Sequence, residues 1–140
     1  AFLRLSPVAD RSKPLGTASK RVAEDHGVAI YDCPALDVDY LERVTFGESA
    51  LRDELLGLFL AQVSGLIVRL PLIGTAQDWR FSTHSLRGAA AAIGANEIAD
   101  LCARWEEQGL PPIPAERRVR SNELQNAATR FREALTALKG

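Results

Sequence analysis

From Leu36 onward, apolar residues recur at helical spacing almost without a break, which restricts the chain to a helical fold. Five helices are expected. The first, Asp37–Phe46, is short and ended by Gly47. The second runs from about Glu48 to Leu70, where Leu51, Leu55, Phe59, Val63, Leu66 and Leu70 form one stripe and Pro71 stops or kinks it. Gly57 and Gly65 weaken that helix, so each is expected to mark close packing. The third begins near Thr75, where Thr75-Ala-Gln-Asp78 has the form of a capping box, and runs through His84 to about Ile93, before Gly94. The fourth covers Asn96 to Gln108 with Ile98, Leu101, Cys102 and Trp105 inward. A rigid Gly109–Pro114 connector leads to the last helix, Pro114 to about Leu138. There Leu124, Ala128, Phe131, Leu135 and Leu138 repeat at spacings of four and three, a bundle-type seam. The expected architecture is all-α, an antiparallel four-helix bundle with an additional short helix on its N-terminal side.

Residues 1–34 read differently. Pro7, Pro14, Gly16, Gly27 and Pro34 interrupt them, and they are expected to be a linker or loosely packed arm, with 35–140 as the folded domain. A short helix at Ala18–Asp25 is weakly indicated, the run Val28–Tyr31 is too isolated to pair as a strand, and His26 reads as a solvated side chain. Ala1–Leu5 is followed by charges and prolines, unlike a signal peptide. No uninterrupted apolar run approaches the roughly 18–20 residues that span a bilayer.

Composition excludes several classes. Seventeen Lys and Arg balance eighteen Asp and Glu, so no global field draws the chain to nucleic acid or an anionic membrane. Cys33 and Cys102 are too few for a disulfide framework and belong to no Cys/His cluster, which argues against structural zinc and for a reducing, cytoplasmic setting. Cys102 itself reads as a small apolar core residue. There is no Gly-rich nucleotide loop, no Walker lysine and no acidic triplet for Mg²⁺, so no independent catalytic turnover is expected. Glu-x-x-His pairs of the kind that build a metal-centred bundle are also missing.

The informative segment is Phe81-Ser-Thr-His-Ser-Leu-Arg-Gly-Ala-Ala-Ala-Ala-Ile-Gly-Ala95. On a helix, Trp79, Thr83, Leu86, Ala90 and Ile93 share one side. Arg80, His84, Arg87, Gly88 and Ala91 share the other, His84 lying roughly 200° from Leu86. An imidazole nitrogen is a nucleophile near neutral pH, Arg87 can donate charge-assisted hydrogen bonds to phosphoryl oxygens, and Gly88 removes bulk beside the ring. Spacing alone does not separate this from an exposed histidine that happens to sit beside an arginine. Arg117, Arg118 and Arg120 read as a solvated face, with docking to an acidic partner as the alternative. Glu106 and Glu107 with Arg104 read as solvent-facing pairs.

The string His84-Ser-Leu-Arg-Gly-Ala-Ala-Ala-Ala-Ile-Gly-Ala95 resembles the signature of histidine-containing phosphotransfer (HPt) domains, roughly H-x-L-K-G-x-x-x-x-x-G-A. Asp78-Trp79 precedes it at the matching place. Leu101-Cys102 and Trp105-Glu106 are similar to the family's L-x-x-x-C-x-x-L-E stretch, and Leu55–Phe59 to its E-L-L-x-x-F helix. The resemblance covers about Leu36 to Leu138. Arg87 stands where the family usually has lysine, Trp105 where it has leucine, and the fourth-to-fifth connector is proline-rich.

The resemblance implies a four-helix bundle whose His84 accepts a phosphoryl group from a receiver aspartate and passes it to another in a two-component phosphorelay. It implies Arg87 and Gly88 beside the phosphoryl group. Arg80 and Ala91, which share that face, are added as phosphate-neighbouring or partner-binding residues. Expected partners are response-regulator receiver domains and an upstream hybrid histidine kinase. No metal or cofactor of the chain's own is expected, Mg²⁺ coming from the receiver. The protein is expected to be a monomer without membrane insertion, free in the cytoplasm or the C-terminal domain of a membrane-bound sensor kinase. The alternative is an HPt-like interaction or inhibitory domain that binds a kinase or enzyme without phosphotransfer.

Overall fold

The structure, a computed structural model, describes residues 34–139. The expected arm with its Ala18–Asp25 helix, the Val28–Tyr31 run, His26 and Cys33 lie outside the described residues. Those described form five helices and no strand: α1 (Val38–Val44), α2 (Ser49–Arg69), α3 (Ala76–Ile93), α4 (Asn96–Gln108) and α5 (Pro114–Lys139). The expected helical bundle with a short leading helix is what the chain forms.

Local chemistry sets the boundaries. Asp37 caps α1 rather than beginning it, its Oδ1 accepting from the Tyr40 N–H at 3.1 Å. At Pro71 the regular helix has ended with Arg69, and Leu70–Leu72 tightens into one 3₁₀ turn, as a proline ring that blocks the α-helical bond requires. Thr75 Oγ1 accepts from the Asp78 N–H at 3.1 Å, the first half of the expected capping box. At the other end of α3, Gly94 adopts φ 85°, and Ala95 N–H bonds Ala90 carbonyl at 2.9 Å. This left-handed closure suits glycine because a Cβ is penalised there.

The core forms where the buried faces of α2–α5 meet. Phe59 of α2 and Phe131 of α5 pack edge-to-face with ring centroids 5.3 Å apart. Leu66, Trp79, Leu86, Ile98 and Leu124 are almost wholly buried around them. The α3, α4 and α5 stripes lie inward as expected, with Leu138 only partly buried. On α2 the stripe holds from Phe59 through Val63 and Leu66 to Leu70 and departs only at its start: Leu56 is buried, whereas Leu51 and Leu55 are only half so. Three successive spacings of four, from Leu51 to Val63, drift off the 3.6-residue period, whereas the buried set Leu56, Phe59, Val63, Leu66 and Leu70 alternates three and four.

The glycine expectation fails. A Cβ at Gly57 would meet nothing within 4 Å, and one at Gly65 would meet only the Arg69 guanidinium at 3.5 Å. Neither marks packing inside the domain. The close approach occurs at Gly94 instead. Its carbonyl accepts the Asp37 N–H at 2.8 Å, and a Cβ there would lie 3.0 Å from the Asp37 oxygen, so α1 is docked onto the end of α3.

Candidate functional site

His84 sits in the middle of α3 with its side chain 61% exposed. The helix is fixed beneath it. Trp79 and Leu86 are fully buried, and the Thr83 hydroxyl donates to the Trp79 carbonyl at 2.9 Å. Trp79 Nε1 donates to the Trp105 carbonyl at 2.9 Å, which locks α3 against α4 one residue before Glu106.

Glu106 therefore arrives beside His84 from the neighbouring helix. His84 Nδ1 lies 3.1 Å from Glu106 Oε2, and Arg87 Nη1 lies 3.1 Å from Glu106 Oε1. The second contact is an ion pair without hydrogen-bond alignment, since Oε1 is buried and accepts no hydrogen bond. One half-buried carboxylate thus spans an imidazole and a guanidinium. This corrects the expected Arg104–Glu106–Glu107 pairing, because the partners of Glu106 lie on α3 and not on its own helix. An ionised carboxylate only accepts, so in the neutral ring this contact favours the tautomer with the proton on Nδ1 and the lone pair on Nε2.

The rest of the outward face is open. Arg80, Gly88 and Ala91 are exposed and Arg87 half-exposed; a Cβ at Gly88 would meet nothing within 4 Å. Arg80 and Arg87 stand one turn before and after His84. With Ala103, Glu106 and Glu107 they line a shallow cleft of about 500 Å³. On the other flank, Phe81 is 72% exposed and closes a second open depression with Leu72, Ile73 and Arg69.

Behind the site, Cys102 is buried one turn before Glu106. Burial pushes its thiol up to about 12, with the Glu106 carboxylate adding to the shift and the Arg87 guanidinium opposing it. The thiol is neutral core, as its sequence context suggested. Among the described residues no cluster of His, Cys, Asp and Glu could hold a metal ion. The arginines of α5 lie to the side. Arg117 donates to the Pro111 carbonyl at 3.0 Å, fastening the proline-rich connector, and Arg120 lies 3.6 Å from Glu123.

Sequence reasoning missed Glu106 as a partner of His84. The available signal was its place one residue beyond an inward Cys102–Trp105 turn, which turns it toward the edge α4 shares with α3.

An exposed histidine on a rigid helix, steadied by a carboxylate and flanked by arginines, is the arrangement a phosphoryl carrier needs. The family model for the Hpt domain matches residues 54–140, which is more than half of the chain and spans α2–α5. The chain belongs to the Hpt domain family. No curated protein and no solved structure matches it. The match begins within α2, later than the Leu36 suggested by resemblance, so α1 lies outside it. Hpt domains are phosphocarriers of histidine phosphorelays and act with receiver domains and kinases of two-component systems.

Proposed function

We propose that His84 Nε2 is the phosphoacceptor, taking a phosphoryl group from one receiver aspartate and returning it to another. The observation that carries this reading is the 3.1 Å contact between His84 Nδ1 and Glu106 on an otherwise exposed ring.

In the forward step the Nε2 lone pair attacks phosphorus of the aspartyl phosphate. The N–P bond forms, the acyl P–O bond breaks, and its electron pair returns to the aspartate as carboxylate. Nε2 carries no proton, so no base is needed there. The product ring holds its proton on Nδ1 and is cationic, and Glu106 supplies the adjacent counter-charge. Onward transfer reverses these events: an aspartate oxygen attacks phosphorus and the N–P pair returns to Nε2.

Arg87 and Arg80 stand to either side of the incoming phosphoryl group, where guanidinium forks match its oxygens. Arg87 keeps the cation that lysine commonly supplies at this place. Gly88 and Ala91 leave the approach clear for a receiver, which supplies the Mg²⁺. Positioning and charge suffice because phosphoryl transfer asks little covalent help of extra side chains.

The test is labelling of the chain by a phosphorylated receiver with Mg²⁺. Wild type should take up acid-labile, base-stable phosphate, and His84→Gln should take up none while keeping its helical circular dichroism. Labelling of His84→Gln equal to wild type would overturn the assignment. Arg87→Ala should slow uptake by roughly tenfold, the loss of one charge-assisted contact.

A further inference from the structure

Helix α2 has a second apolar stripe that the bundle does not use. Opposite its buried Leu56, Phe59, Val63 and Leu66, the residues Glu54, Leu58, Ala61, Gly65 and Val68 follow one another at spacings of four and three, and Leu72 continues the line in the 3₁₀ turn. Leu58 is 64% exposed, Val68 69% and Leu72 79%. An 18-residue window within Ser49–Leu72 has a mean hydropathy of 1.8, yet only 28% of it is buried. A run of exposed large apolar residues on one helix face is a mark of an interaction surface.

The order of residues on this stripe is self-complementary. Place a second α2 antiparallel to the first, with a two-fold axis beside position 63. Ala61 then faces Gly65 of the other copy, and Leu58 faces its Val68. The two small residues at the centre let the helix axes approach closely, and the large residues close over them on either side. The same pairing sets Glu54, in the second turn of one helix, within about one turn of Arg69 at the basic end of the other. Both are exposed, and neither has an ion-pair partner among the described residues. Gly57 and Gly65, which do no packing inside the domain, are accounted for as positions on or beside this seam.

We propose that this outer face of α2 is the interface between two copies of the chain, paired antiparallel about a two-fold axis. The occupant is a second copy because sizes are matched along the stripe and opposite charges meet beside its ends. A membrane surface would favour cations along the polar edges and would not call for Glu54 on the seam. The pairing departs from the monomer expected by family resemblance, and it does not depend on His84 being the phosphoacceptor.

Sedimentation velocity of the full 140-residue chain across a dilution series tests it. The expected result is a reversible shift between one and two chain masses. Ala61→Arg should raise the dissociation constant by at least roughly tenfold. Glu54→Arg should weaken the dimer, and adding Arg69→Glu in the same chain should restore it, since the swapped charges pair again; circular dichroism establishes that each variant is folded. A monomer at every concentration overturns the proposal. So does a dimer indifferent to Ala61→Arg, or a Glu54→Arg defect that Arg69→Glu does not relieve. Co-sedimentation of the monomer with phosphatidylcholine vesicles, lost in Ala61→Arg, would assign the face to lipid and overturn it equally.

Discussion

Glu106 is the residue on which the behaviour of His84 turns. It fixes the ring through Nδ1 and holds the Arg87 guanidinium with its other oxygen. Removing it in Glu106→Ala frees both partners at once. Phosphoryl uptake should fall by roughly 10- to 100-fold, the range found when an orienting partner of a reactive imidazole is lost. Glu106→Gln retains an acceptor for Nδ1–H and should recover part of that loss, which single-turnover labelling will show. The same carboxylate reaches Cys102. That thiol is raised from an ordinary 9.0 to about 12, so the folded chain keeps a proton that the unfolded chain gives up. The stabilisation is complete below pH about 9 and should drain away as pH climbs from there toward 12. Urea titrations over that interval should show a falling stability whose slope is reduced in Cys102→Ala. Alkylation of the native thiol at neutral pH should be slow beside that of an unfolded control.

At the scale of elements, α3 is held at both ends and along its inner side, and this rigidity presents the imidazole. The N-terminal cap, the buried indole bond to α4 and the Gly94 closure are three separate fastenings. Gly94 is the most demanding. A Cβ there suffers the left-handed conformation and also presses on the Asp37 carbonyl oxygen at 3.0 Å. Gly94→Ala should cost about 1–2 kcal/mol from the backbone conformation alone. It should also loosen α1, seen as faster hydrogen exchange at the Leu41 amide, which bonds Asp37. Phosphoryl uptake should change little, because His84 lies nearly three turns away. Much of this was legible beforehand. The α3 stripe, the Thr75 cap and the Gly94 stop follow from local spacing and side-chain chemistry. The α2 stripe was legible from Phe59 to Leu70 and missed only at its start, where Leu55 and Leu56 are adjacent leucines and periodicity alone did not say which of them faces inward.

For the whole molecule, α4 and α5 are clasped by an ion pair. Glu97 is only 5% exposed, and Arg130 grips it with two nitrogens, Nε lying 2.9 Å from Oε2. Nothing in the sequence pattern marked Glu97 as buried, since the fourth-helix stripe was complete without it. Arg130→Met strands that carboxylate and should destabilise the fold by about 2–3 kcal/mol in urea denaturation. The double variant Glu97→Leu/Arg130→Met should regain most of it, because the cost lies in the unpaired charge rather than in the loss of attraction.

The sequence by itself determined the helices, their ends, the inward faces of α3, α4 and α5, and the outward His84 with Arg80, Arg87, Gly88 and Ala91. These follow from the 3.6-residue period and from capping chemistry, which act over a few neighbours. Only the tertiary structure decided that Glu106 meets His84 across 22 residues, that Glu97 meets Arg130 across 33, and that Gly94 rather than Gly57 is the crowded glycine. Such pairings depend on how two helices are rotated and slid against each other, and that is set by the summed packing of the whole core, not by any local spacing.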